Sequence, residues 1–146
     1  MIALLIALQF LTRLPVSLPG MPTPEQVGRS LLWYPLAGLL LGLLLWGAHL
    51  LLGQTPALVQ AAIILALWVG LSGGLHLDGL ADTADAWVGG FGDRERTLTI
   101  MKDPRSGPIA VVVLVLLLLL KFAGLFTLLQ AGQGIYGDYG FLVKLY

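Results

Sequence analysis

The chain has no cysteine among its 146 residues, which excludes disulfides and thiolate metal sites and leaves its redox compartment open. Charge is also scarce: Asp, Glu, Lys and Arg make up 11%, against about 25% in soluble domains. The formal net charge is zero, so no basic surface marks a nucleic-acid partner, and none is expected. No internal repeat is visible. The amino terminus lacks the basic leader and small-residue cleavage site of a signal peptide.

What the chain has instead is apolar length. Hydrophobic residues account for 58% and the mean hydropathy is +0.90, the composition of a membrane protein. Three stretches, 30–52, 56–75 and 108–129, each offer roughly the 20 apolar residues that a bilayer core of about 30 Å requires. Gly53-Gln54-Thr55-Pro56 between the first two predicts an antiparallel hairpin, and Pro108 suits the first turn of the third helix. Residues 1–14 predict a helix in the interface or tucked against the bundle, 15–26 an irregular proline-rich connector, and 76–107 a segment at the membrane face. The expected fold is an all-α, polytopic helical bundle in a single membrane domain.

Charge then orients it. Arg13 and Arg29 fall on the same side as Arg94, Arg96, Lys102 and Arg105, whereas the turn at Gln54 carries none. The positive-inside rule places 76–107 on the cytoplasmic side. That segment also holds Asp78, Asp82, Asp85, Asp93, Glu95 and Asp103, six of the eight acidic residues.

The stretch HLDGLADTADAW, 76–87, is the polar centre. At about 100° per residue, Asp78, Asp82 and Asp85 share one narrow helix face, and like charges at i, i+4 repel. A divalent cation relieves that conflict, because Mg²⁺ or Mn²⁺ takes carboxylate oxygens and leaves positions for phosphate. The plain alternative is a solvated acidic face. Gly89, Gly90 and Gly92 suit a tight reversal, either an interhelical turn or a phosphate approach. Asp93 is placed to cap a short helix through about Lys102. Arg94, Arg96, Lys102 and Arg105 are phosphate clamps or topology anchors. Lys121, inside the third apolar run, calls for a partner, an aspartate of the motif or a substrate phosphate, unless it snorkels. His76 reads as supporting or interfacial, His49 as satisfied within the bundle. Gly38 and Gly42 form a GxxxG pair, a seam for a homo-oligomer.

GGLHLDGLADTADAW, then GDRERTLTIMKDPRSGP, then an apolar helix interrupted by Lys121, resembles cobalamin synthase, the adenosylcobinamide-GDP ribazoletransferase family of membrane enzymes; LQFLTRLP and WYPLAGLLLG are similar to it too. The resemblance covers about residues 1–130. It implies a bacterial or archaeal cell membrane, the inner one where there are two, and transfer of adenosylcobinamide phosphate from adenosylcobinamide-GDP to α-ribazole or its 5′-phosphate, with release of GMP and use of Mg²⁺, Mn²⁺ being the alternative. Asp78, Asp82 and Asp85 would hold the metal, Asp82, Asp85 or Asp103 would take the proton, and Lys102, Arg105, Arg94, Arg96 and Lys121 would bind substrate. Family members are typically longer, so truncation is expected, with 130–146 divergent and turnover by this chain alone weak or absent. A non-enzymatic cation-passage subunit or inactive remnant is the competing reading, but a passage subunit should carry its acids within the spans.

Overall fold

The computed structural model describes residues 2–101 and 106–143, with side chains described through Gly132. All regular structure among these residues is helical. Helix α1, Ile2–Leu11, buries Ile6 and Ala7 and stacks Phe10 on Tyr34 with ring centroids 6.1 Å apart. It is tucked against the bundle. Beyond it, the Arg13 amide donates to the Leu71 carbonyl at 2.8 Å.

The expected irregular connector ends early. Thr23 opens helix α2, Pro24–Ser30, with a full capping box: its hydroxyl accepts from the Gln26 amide while the Gln26 side chain accepts from the Thr23 amide. A 3-10 turn, Leu31–Trp33, leads into α3, Tyr34–Leu52. Together Pro24–Leu52 forms a 29-residue helical stretch long and apolar enough to cross a membrane.

The hairpin turn is held by a side chain that the sequence reading passed over. Gln60, fully buried, donates through Nε2 to the carbonyls of Gly53 at 2.9 Å and Thr55 at 2.8 Å. With its amide committed as donor, Oε1 accepts from His49 Nδ1 at 2.9 Å. His49 is thus satisfied within the bundle, and an otherwise costly buried amide is fully used.

Helix α4, Ala57–Ser72, is about 24 Å long at 1.5 Å per residue, short of a full bilayer core. The second expected span therefore stops three residues early, and the reason is local. Gly73 and Gly74 both adopt left-handed backbone, φ 65° and 71°, which glycine alone accepts readily. Helix α5, Leu75–Gly90, departs at 84° to α4. Helix α6, Arg94–Met101, and α7, Pro108–Val143, follow; Pro108–Gly132 is the second stretch long and apolar enough to cross.

The packing suits lipid as solvent. Among the described residues, seven of the ten buried apolar ones are alanines (Ala7, Ala37, Ala57, Ala61, Ala81, Ala86 and Ala110), while Leu32, Leu51, Leu120 and Leu128 are more than 70% exposed. With apolar surroundings, helices gain by close approach through small residues rather than by hiding large ones. Among the described residues, none lies within 4 Å of where a Cβ on Gly38 or Gly42 would stand.

Candidate functional site

Helix α5 bears the three aspartates, and its position is set by contacts at both ends. Asp85 accepts from the Ala110 amide at 2.8 Å through Oδ1 and from the Gly107 amide through Oδ2. It thereby supplies the acceptors that the first turn of α7 lacks within itself. Nine residues earlier on α5, His76 Nε2 meets Lys121 Nζ at 3.1 Å. Asp85 at the start of α7 and His76 well along it make the two helices antiparallel neighbours.

That arrangement sets the surroundings of α5 and of Lys121. The acidic helix runs beside α7, so Asp78 sits about 10 Å further along it than Asp85. Lys121 has no aspartate partner among the described residues; its ammonium donates to His76 and lies 4.2 Å from the centroid of the Trp68 ring on α4. Lys121 is thirteen residues into α7, roughly 20 Å from its start. There, a cation is stabilised by an aromatic face and a neutral imidazole instead of water. Trp68 carried no sequence signal for this role.

The three carboxylates also divide. Asp78 is exposed and Asp82 half-buried, whereas both oxygens of Asp85 are engaged by backbone. Among the described residues no three His, Asp or Glu side chains form a group that could hold a metal. Asp85 is turned toward α7, away from the other two. Asp78 and Asp82, one helical turn apart, do fit a hard divalent ion of the Mg²⁺ kind, which is commonly held by one or two carboxylates with phosphate and water completing the shell.

The glycine cluster is a helix contact and turn. A Cβ on Gly90 would collide with the Thr97 side chain of α6, one on Gly89 would lie 2.7 Å from Ile100 Cδ1, and Gly92 turns the chain at φ 83°. Asp93 caps α6 as expected, its Oδ1 accepting from the amides of Glu95 at 2.9 Å and Arg96 at 3.3 Å. Arg94 and Arg96 are exposed, and the Arg96 guanidinium stands 5.7 Å from the Phe91 ring centroid. Lys102, Asp103 and Arg105 lie outside the described residues.

One cation is placed here that sequence reasoning used only for topology. The Arg13 side chain rests on Gly73, where a Cβ would come within 3.0 Å of its Cγ. With its amide bonded to Leu71, Arg13 stands at the joint between α4 and the acidic helix. The signal for it is the pair Gly73-Gly74, which leaves room for a long side chain.

A family model described as cobalamin-5-phosphate synthase matches residues 3–143. The chain belongs to that family. The match includes the 130–143 stretch expected to diverge, as well as the whole of α5 and α6. An adenosylcobinamide-GDP ribazoletransferase of Ectopseudomonas mendocina (strain ymp) is 89% identical over 136 residues, covering 93% of this chain and 56% of the relative. Enzymes of the same name from Pseudomonas fluorescens (strain Pf0-1) and Pseudomonas entomophila (strain L48) are 71% and 73% identical, over 91% and 88% of this chain and 55% and 53% of theirs. The chain thus spans a little over half the length of these curated relatives. No solved structure matches it. The cobalamin-5-phosphate synthase family and the apolar helices fit a bacterial membrane protein.

Proposed function

We propose that the chain carries the phosphoryl-transfer face of an adenosylcobinamide-GDP ribazoletransferase in the cytoplasmic half of the inner membrane. The observation that carries this reading is 89% identity to a relative of that name over 136 residues. The acceptor is α-ribazole or its 5′-phosphate. Its hydroxyl oxygen attacks the phosphorus next to cobinamide, the diphosphate bridge breaks, and the bridging oxygen leaves with GMP. Such transfers depend mainly on positioning and charge neutralisation.

Asp78 and Asp82 would hold Mg²⁺ (or Mn²⁺), which when bound supplies charge to offset the developing negative phosphate oxygens. Of the carboxylates expected to take the proton of the attacking hydroxyl, Asp82 is half-buried with no hydrogen bond among the described residues, which suits it to the task. Asp85 fixes α5 against α7 and so sets where Asp82 points. Lys121 and Arg13 are cations near the start of α5, suited to hold a substrate phosphate by charge-assisted bonds. Exposed Gly38 and Gly42 leave a close-contact seam open to a second copy.

The test is a chimera joining residues 1–136 of this chain to the remaining length of the Ectopseudomonas mendocina relative, expressed in a strain lacking its own enzyme. It should restore cobalamin synthesis, and the same chimera with Asp82→Asn should not. A stable, membrane-inserted chimera without activity overturns the proposal.

A further inference from the structure

Phe91 stands between Gly90 and Gly92, yet it is the residue that occupies left-handed backbone at φ 48°, the one non-glycine with positive φ among the described residues. A bulky side chain is disfavoured there and glycine is not. Burial does not explain the choice: the ring is 82% exposed, and it stands beside the exposed Arg96 guanidinium. Trp87, one turn earlier, is also 82% exposed.

The Trp87 ring lies on the side of α5 away from its acids. Taking Asp78 as zero, Asp82 and Asp85 fall within about 40°, whereas Trp87 falls about 180° around. Leu80 and Ala84, half-buried, continue the apolar line toward Trp87. The helix is therefore divided lengthwise into a carboxylate face and an apolar face that is exposed at Trp87.

Height decides what meets that face. Asp85 is level with the first turn of α7, where the apolar run of 108–129 begins. Trp87 comes two residues later, roughly 3 Å along the axis, and Phe91 follows the helix end at Gly90, both beyond the start of that apolar run. Trp is favoured at a membrane–water interface because its ring is apolar and its N–H polar. Leu98 and Met101 of α6 are exposed nearby, and Arg94 and Arg96 form no ion pair among the described residues. Exposed arginines beside exposed rings match the phosphates of anionic lipid.

We propose that the α5–α6 elbow is a bilayer anchor: Trp87 and Phe91 insert among the headgroups at the membrane face where α7 starts, and Arg94 and Arg96 hold anionic lipid phosphates. The anchor fixes the far end of the acidic helix, whose near end is fixed by Arg13 and Lys121. Its occupant is lipid, and a protein segment covering the same rings is the alternative that the experiment distinguishes.

The full chain with Trp33, Trp46 and Trp68 replaced by Phe retains Trp87 as its sole indole. In vesicles of phosphatidylcholine with 30% phosphatidylglycerol (about that fraction suffices for a negative surface potential), lipids brominated near the glycerol should quench Trp87 at least about twofold more than deep-brominated lipids or aqueous acrylamide. Removing phosphatidylglycerol, or introducing Arg94→Gln with Arg96→Gln, should reduce that quenching. Phe91→Gly should weaken it too while leaving thermal stability in detergent equal or higher, since the strained backbone is relieved. Quenching by acrylamide alone, or by neither agent, overturns the anchor, the latter pointing to a protein cover. Quenching indifferent to phosphatidylglycerol and to both arginines overturns the anionic-lipid part. Should the triple replacement fail to fold, a nitroxide on Val88→Cys in the otherwise native, cysteine-free chain reads the same depth, and equal access to oxygen and to a water-soluble nickel chelate would overturn the anchor.

Discussion

The Asp85 carboxylate accepts the Ala110 amide at 2.8 Å across 25 residues of chain, so a residue of the acidic motif serves as the cap of the following membrane helix. A carboxylate that already holds two backbone donors stabilises a helix terminus by both hydrogen bonding and charge. Its neighbours in the motif carry no such duty.

Replacing Asp85 with Ala should therefore destabilise the chain in detergent by about 1 kcal/mol, within the range of roughly 0.5–2 for lost helix caps. Gly107→Ala should act at the same place, because its Cβ would lie 2.8 Å from Asp85 Oδ1. Thermal or denaturant unfolding followed by helical circular dichroism reads both. An unchanged midpoint in Asp85→Ala would remove the cap from the account of α7.

Metal binding should separate the three aspartates. Mn²⁺ affinity, read by paramagnetic resonance, should fall at least about tenfold in Asp78→Asn and in Asp82→Asn, equivalent to about 1.4 kcal/mol. Asp85→Asn should change it less, since that carboxylate faces backbone. Unchanged affinity in both of the first two variants would return the acidic face to a merely solvated one.

Gly90→Ala should cost about 1–3 kcal/mol by overpacking, since the added methyl meets the Thr97 side chain directly. Thr97→Ala in the same chain should recover part of the loss by removing the hydroxyl. Absence of any recovery would mean that α6 contacts Gly90 differently from the packing described.

Cysteines introduced singly at Gln54 and at exposed Glu95 should label from opposite sides of sealed vesicles, with Glu95 on the side holding Arg94 and Arg96. Labelling from one side would overturn a crossing by the bent α4–α5 pair and the assignment of charge to side.

Lys121→Met keeps the apolar stem and removes the charge, so the lost ring and imidazole contacts are offset by easier burial. Stability in detergent should shift by less than about 1 kcal/mol, while the chimera carrying the change should lose most of its activity. Full activity would assign Lys121 to packing alone.

Whatever depends on composition along the chain was legible in the sequence: the apolar runs, the hairpin at Gly53 to Pro56, the Asp93 cap and the shared helix face of the aspartates. Contacts between distant residues were not. Nothing local to Asp85 indicates that Gly107 and Ala110 will take its oxygens, and nothing local to Lys121 names His76 and Trp68 in place of an acid. Two local signals were legible but outweighed. Thr23-Pro24-Glu25-Gln26 is a capping box hidden among prolines, and Gly73-Gly74 breaks an apolar run whose length argued for continuing it.

The lean of α5 on α7 has a bearing on how the protein is put into the membrane. The acidic helix leaves the ribosome first, with three carboxylates that oppose its partition into lipid and without the amides of Gly107 and Ala110 that will receive one of them. Its apolar side, ending in Trp87 and Phe91, can meanwhile rest at the bilayer surface. Only after α7 has been threaded across does α5 gain a wall to stand against. A helix made earlier therefore takes its final contacts only once a later one has been made.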